Sequence, residues 1–167
     1  MVIGDPNKFA IIIDMVPEWN ITKSFKMGVF LYVLKANIFP KEIDTVTLSS
    51  DLYYFFERTP SALLNIPKDE KLFQMELYEA YKFMLDTFCS ASSTKNNKNF
   101  CFTSLSIRDY NYEFFAVSNG VDIRILKGKI GIDYCISEVE DIILPKEYID
   151  NLVIELRDFY NKNIKSD

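Results

Sequence analysis

Carboxylates near the start of the chain are the first side chains whose types and spacing could do chemistry. Asp5 or Asp14 could pair with Glu18 or Asp122, and two carboxylates placed together can divide the work of a general acid and a general base. The chain contains no His, so the Ser–His and Cys–His pairs that activate many nucleophiles are excluded. A carboxylate-based, metal-dependent enzyme is therefore one open alternative, while the missing histidine favours a protein that binds.

The segment Gly4-Asp5-Pro6-Asn7 could be a loop that cradles a phosphate. Pro6 removes one backbone donor from such a cradle, and neither a Gly-Lys-Ser/Thr motif nor a helix signal follows. The residues after Asn7 are rich in β-branched side chains, which is typical of a strand. The segment is therefore predicted to be a turn that leads into the first long strand.

The three cysteines, Cys89, Cys101 and Cys135, are an odd number and show no Cys-x-x-Cys spacing. Each lies among apolar or aromatic neighbours, so we expect small buried thiols without a redox or nucleophilic role. A tetrahedral zinc site is poorly supported, because such sites draw on clustered Cys and His. No metal or other cofactor is predicted.

Acidic side chains are concentrated near the end of the chain. The net charge is −5, and residues 133–158 hold eight acidic side chains against two basic ones. A localised acidic surface steers and orients a basic partner. The predicted partner-binding carboxylates are Glu138, Glu140, Asp141, Glu147, Asp150, Glu155 and Asp158.

Two other interpretations of these carboxylates stay open. They could be the solvated faces of a strand and a helix, which need polar residues in any case. Glu138, Glu140 and Asp141 could instead form a divalent-metal site, although such a site needs further oxygen ligands.

Aromatic residues are abundant, with 14 Phe and 10 Tyr, and most occur at positions typical of a core. Trp19, Tyr110 and Tyr112 lie in turn-like segments and are candidate anchors, because a few aromatic side chains dominate many interfaces. Direct nucleic-acid binding is disfavoured: Lys95 and Lys98 in a polar loop are a poor substitute for a clustered basic surface.

The hydrophobic pattern predicts an α+β domain: a mostly antiparallel sheet of about six to seven strands with two or three helices packed on one face. A single domain over residues 1–167 is expected. Strands are predicted at residues 2–3, 8–16, 100–107 and 134–144, hairpins over 28–40 and over 112–126 about Ser118-Asn119-Gly120, and helices at 52–58, 76–88 and 146–161. Loops are predicted at 59–69 and 90–99.

No apolar run approaches the ~18 residues of a membrane span, and the start of the chain does not resemble a secretory signal. The chain is therefore expected in the cytoplasm. No internal repeat is visible.

Four stretches of the chain, in order, read IGDPNKFAI, FKMGVFLYVLKANIFPKEI, FFAVSNGVDIRIL and ILPKEYIDNLVIEL. Together they resemble the immunity protein 42 family of bacterial polymorphic toxin systems of the contact-dependent inhibition type. None of them is a catalytic signature. The resemblance implies a cytoplasmic immunity protein that binds the C-terminal domain of a cognate toxin by protein–protein contact, without enzymatic activity of its own.

The sequence of an inhibitor does not reveal which reaction its toxin catalyses. Many toxin domains are nucleases with basic substrate grooves, which an acidic inhibitor could occupy by imitating phosphate charge. A scaffold or oligomerisation module is the second alternative to immunity, beside the carboxylate-based enzyme.

Overall fold

A computed structural model describes residues 1–20, 22, 25–58, 61–90 and 99–165 of the chain. Its strands are β1 (Val2–Gly4), β2 (Phe9–Met15), β3 (Met27–Leu34), β4 (Asn37–Phe39), β5 (Val46–Thr47), β6 (Tyr112–Ser118), β7 (Asp122–Ile130) and β8 (Ile136–Pro145). Its α-helices are α1 (Leu48–Tyr53), α2 (Glu70–Gln74), α3 (Leu77–Ser90), α4 (Leu105–Arg108) and α5 (Lys146–Asn163). A π-helical turn at Tyr54–Arg58 continues α1, and single 3-10 turns lie at Pro17–Trp19 and Ala62–Leu64.

The strands form two antiparallel sheets. The first has the order β1-β2-β3-β4, with β5 also paired to β3, and the second has the order β6-β7-β8. The predicted α+β class with antiparallel pairing is confirmed. The division into two sheets is a detail that the sequence pattern did not contain, because local periodicity does not determine which distant strands pair.

Aromatic side chains fill the space between the two sheets. Tyr32 of β3 packs edge-on against Phe114 of β6, with ring centroids 4.9 Å apart, and Phe9 and Phe102 lie beside them. The Tyr32 hydroxyl donates to the Phe102 carbonyl at 2.8 Å, which satisfies the polar end of this buried ring. The prediction that most aromatic residues are core residues holds for this cluster.

The two long helices cover opposite faces of the second sheet. Helix α5 buries Ile149, Leu152 and Leu156 in the core shared with the first sheet. Helix α3 buries Tyr81, Met84 and Leu85 against the other face. Gly128 of β7 makes this second contact possible, because a Cβ there would lie 2.5 Å from the Tyr81 ring. Every residue of β6 is buried, which is the consequence of cover on both faces.

Both predicted hairpins are present. Leu34 pairs with Asn37, and the two residues between them, Lys35 and Ala36, have φ of 50° and 65°, the left-handed geometry of a tight hairpin turn. Ser118 pairs with Ile123 around Asn119-Gly120.

Several predicted boundaries differ from the structure. The strand predicted at 100–107 is wrong, because Cys101 forms only an isolated bridge to Phe115 and the Ser104 hydroxyl accepts from the Ile107 amide to begin α4. The helix predicted at 52–58 begins earlier, at Leu48. The predicted loop at 59–69 contains the turn Ala62–Leu64. Most of the predicted polar loop, residues 91–98 with Lys95 and Lys98, lies outside the described residues.

In the part of the chain that the structure describes, no helix is long and apolar enough to cross a membrane.

Candidate partner-binding surface

Two of the predicted carboxylates on β8 are held by cations of the neighbouring strand. Lys127 of β7 is fully buried, and its Nζ lies 2.9 Å from Oε1 of Glu140, the residue directly opposite. The ammonium also lies 4.4 Å from the centroid of the Phe39 ring. A buried lysine needs such partners, because an isolated charge in the interior is strongly unfavourable. Glu140 therefore has a structural role as the counter-ion of Lys127.

Asp141 is engaged in the same way on the opposite face of the sheet. Its Oδ2 accepts from Nε of Arg124 at 2.7 Å. The Arg124 guanidinium also donates to the carbonyls of Phe73 at 3.0 Å and Met75 at 2.6 Å. The ion pair thus ties the connection between α2 and α3 to the sheet.

Glu138 contacts one of the predicted aromatic anchors, Tyr112. It has φ of 52° at a bulge in the β7–β8 ladder, and its carboxylate accepts from the Tyr112 hydroxyl at 3.4 Å. Lys41 lies 3.8 Å from the same carboxylate. Burial, and secondly the Glu138 charge, raises the pKa of the Tyr112 hydroxyl. Tyr110 donates to Asp44, in the segment between β4 and β5, at 3.3 Å, whereas Tyr112 is buried and its ring packs against Phe39 of β4.

The four predicted carboxylates on α5 are exposed: Glu147, Asp150, Glu155 and Asp158. Only Asp150 has a close cation among the described residues, Lys146 one turn earlier at 2.5 Å. Ile154 is 58% exposed on the same helix and lies four residues from both Asp150 and Asp158, which places the three on one stripe. The outer face of α5 is thus acidic with an apolar centre.

Trp19 is half-exposed in the 3-10 turn that follows β2. The adjoining Val16 amide donates to the Met27 carbonyl, so this turn belongs to the first sheet. Trp19 is therefore attached to a different sheet from the carboxylates of β8.

The tip of the β7–β8 hairpin is not predicted by the sequence pattern, which places Tyr134 in a strand at 134–144, whereas β8 begins at Ile136. Ile132 is fully exposed, and Tyr134 is 80% exposed with φ of 55°. Two hydrogen bonds close the turn: the Gly131 amide donates to the Cys135 carbonyl at 2.8 Å, and the Tyr134 amide donates to the Gly131 carbonyl at 3.0 Å. A tyrosine at positive φ is strained where glycine would not be. The glycines at 128 and 131, just before the strand predicted at 134–144, are the signal in the sequence that could have located this turn.

The burial predicted for the cysteines is correct for Cys101 and wrong for Cys89 and Cys135, which are exposed. Cys89 lies in the last turn of α3 and Cys135 in the hairpin tip, where apolar neighbours in sequence do not enclose the thiol. Burial, and secondly the Glu113 carboxylate, raises the pKa of the Cys101 thiol to about 11, which keeps it protonated near neutral pH.

Cys101 contacts an ion pair that sequence analysis did not find. Arg108 Nε donates to Glu113 Oε1 at 2.6 Å, and a second guanidinium nitrogen lies 3.3 Å from the Cys101 sulfur. Cys101 and Arg108 border a cavity of about 140 Å³ that is also lined by Phe88 and Asp51. Arg108 and Glu113 already pair with each other, so we interpret this cluster as a structural one.

The geometry gives the metal and enzyme alternatives no support. Among the described residues no group of three or more His, Cys, Asp or Glu is placed to hold a metal ion. Asp5 accepts from the Asn7 amide at 2.9 Å within its own turn, and Asp14 lies 3.9 Å from the N-terminal amine.

Comparisons with known proteins indicate the fold and the family of the chain. The chain is similar in structure to CdiI from Burkholderia dolosa, with a TM-score of 0.73, 23% sequence identity, and coverage of 95% of this chain and 99% of that one. At this identity the likeness shows the fold. A search of curated proteins finds no match. The family model for immunity protein 42 matches residues 1–159, and the chain therefore belongs to the immunity protein 42 family.

Proposed function

We propose that the chain is a cytoplasmic immunity protein that binds a cognate bacterial toxin domain and neutralises it by protein–protein contact. Membership of the immunity protein 42 family supports this proposal most directly. The chain acts as an inhibitor and catalyses no reaction of its own. The partner is the C-terminal domain of the toxin, and binding covers its active site or an adjoining surface that the substrate needs.

The outer face of α5 supports a basic partner. Its four carboxylates are exposed, whereas Glu140 and Asp141 on β8 are engaged by Lys127 and Arg124. Exposed charges of one sign raise the rate of encounter with an oppositely charged surface and fix its orientation. A nuclease domain, whose substrate groove is basic, is the toxin class that best complements this face.

The tip of the β7–β8 hairpin supplies apolar contact area to the interface, which the carboxylates of α5 do not. Ile132 and Tyr134 are displayed to solvent, and an aromatic side chain that enters a pocket of the partner supplies much of the energy of many interfaces. Tyr110 and Glu138 remain proposed contacts at the same end of β8, and Trp19 remains a proposed contact on the first sheet, whereas the ring of Tyr112 is buried and supports them from the core.

Co-purification tests the proposal. Where the gene directly upstream of the chain's own gene encodes a large secreted protein, the probe is the C-terminal domain of that protein, expressed with a tag beside the untagged chain. We expect a one-to-one complex that survives size-exclusion chromatography. Separate elution of the two proteins at micromolar concentration would contradict the proposal.

A further inference from the structure

Strand β8 forms an edge of the second sheet whose outer side has no strand partner among the described residues. It pairs with β7 alone over its ten residues. The opposite edge of the same sheet is covered: the Phe102 amide donates to the Phe114 carbonyl at 3.0 Å, and the Ser118 amide donates to the Pro67 carbonyl at 3.0 Å. The two edges of this sheet are therefore not equivalent.

The hydrogen-bond register identifies the backbone groups that face outward. The Lys146 amide donates to the Val121 carbonyl, so the adjacent pair Asp122–Pro145 is a non-hydrogen-bonded pair of the antiparallel ladder. Because bonded and non-bonded pairs alternate, Leu144 and Ile142 direct their N–H and C=O groups to β7.

The residues of β8 that alternate with Ile142 and Leu144 have their backbone groups on the outer side of the strand. Asp141 and Ile143 direct their amides and carbonyls away from β7, and no hydrogen bond among the described residues takes up either amide. Ile143 is also 54% exposed.

The usual protections of an edge strand occur only at the two ends of this stretch. The bulge at Glu138 interrupts the ladder before it, and Pro145, which lacks an amide, ends it. Natural proteins use bulges and prolines to prevent unwanted pairing. Residues 139–144 between them keep a regular edge, long enough to pair with a short strand.

We propose that this edge of β8 receives an extended, basic segment of the toxin domain as an added strand, an inference that rests on the proposed function. Main-chain hydrogen bonds hold such a strand, and alternate side chains give it specificity. The edge is flanked by exposed carboxylates, Asp133 and Glu138 before it and Glu147 after it, whereas Glu140 and Asp141 within it are engaged by cations of β7. A second copy of the chain would bring two acidic regions together, whereas a basic segment complements this one.

Amide hydrogen exchange tests the proposal at single residues. The purified chain is compared with its complex with the toxin domain encoded upstream. In the free chain the Asp141 and Ile143 amides are expected to exchange fast and the Ile142 and Leu144 amides slowly. In the complex the two fast amides are expected to slow by at least about 10-fold, while the slow pair stays slow.

Each other outcome overturns the proposal in a distinguishable way. A stable complex with unchanged exchange at Asp141 and Ile143 would place the toxin elsewhere and leave the proposed function intact. Failure to form any complex would overturn both. Slow exchange of both amides in the free chain, together with a doubled mass, would show that a second copy occupies the edge.

A proline variant provides an independent readout. Ile143→Pro removes the outward donor without removing a bond to β7, and Ile143→Ala is the matched control that keeps the amide. We expect Ile143→Pro to bind the toxin domain about 10-fold more weakly than Ile143→Ala. Thermal unfolding of both variants checks that the fold is intact, and equal affinities of two folded variants would overturn the proposal.

Discussion

Lys127 and Glu140 face each other across β7 and β8, with the lysine Nζ fully buried and 2.9 Å from the carboxylate. Glu140 belongs to the acidic region of residues 133–158, but its carboxylate is the counter-ion of Lys127 and not a free surface charge. The same holds for Asp141 with Arg124 at 2.7 Å. The acidic character available to a partner is therefore concentrated on α5.

Removal of the Glu140 charge should destabilise the fold. Glu140→Gln leaves the buried Lys127 ammonium without its counter-ion, and because the carboxylate is itself partly exposed we expect a loss of about 2 kcal/mol in the free energy of unfolding. Urea denaturation measures it.

Two further variants control this measurement. Glu138→Gln on the same strand removes a long ion pair with the exposed Lys41 and keeps an acceptor for the Tyr112 hydroxyl, so it should cost less than about 1 kcal/mol. Adding Lys127→Met to Glu140→Gln should recover much of the loss. Equal stability of Glu140→Gln and the wild type would show that the pair is not a structural ion pair.

The buried Cys101 thiol should make stability fall at alkaline pH. Its folded pKa is about 11 against an ordinary value of 9.0, so the unfolded chain loses the proton first. The contribution is complete below about pH 8 and declines as the pH rises between about 9 and 11. We expect Cys101→Ala to lose about 1–2 kcal/mol less than the wild type between pH 8 and pH 10.5, measured by urea unfolding. Parallel losses in both proteins would contradict the role given to this thiol.

The hairpin tip should separate stability from binding. Tyr134→Gly relieves the strain of φ 55° and should leave stability unchanged or raise it by about 0.5–1 kcal/mol, whereas Tyr134→Ala keeps the strain. Both variants lose the aromatic ring, and both should bind the toxin domain at least about 10-fold more weakly. Calorimetric titration and thermal unfolding measure the two effects. Unchanged affinity in Tyr134→Gly would remove this residue from the interface.

Charge reversal on α5 should slow association. Glu155→Lys combined with Asp158→Lys changes two exposed carboxylates of the outer face and should lower the association rate about 10-fold at low salt and weaken its salt dependence. Glu79→Lys with Asp86→Lys on α3 is the matched control, because these carboxylates are also exposed on a long helix. Stopped-flow fluorescence at several salt concentrations measures both. The same decrease in both variants would indicate a general charge effect rather than an interface on α5.

The features that the sequence predicted well are local. The turn at Lys35-Ala36 and the hairpin about Asn119-Gly120 depend on a few adjacent residues, and α3 and α5 follow from apolar residues at helical spacing.

The features it did not predict depend on contacts between distant segments. Lys127 and Glu140 are thirteen positions apart, and their pairing is decided by the bulge-shifted register of β7 and β8. The exposure of Cys135 follows from its place in a hairpin tip, although its neighbours in sequence are apolar. The family itself was predicted from the order of four separate stretches, which no single local pattern identifies.

The central claim is that the chain neutralises a toxin by binding it, and a titration of toxin activity tests this most directly. The C-terminal domain encoded upstream is held at a fixed concentration, and its activity is measured as the purified chain is added. We predict that activity falls linearly to zero at one equivalent of the chain. Full activity in the presence of a large excess of the folded chain would contradict the claim.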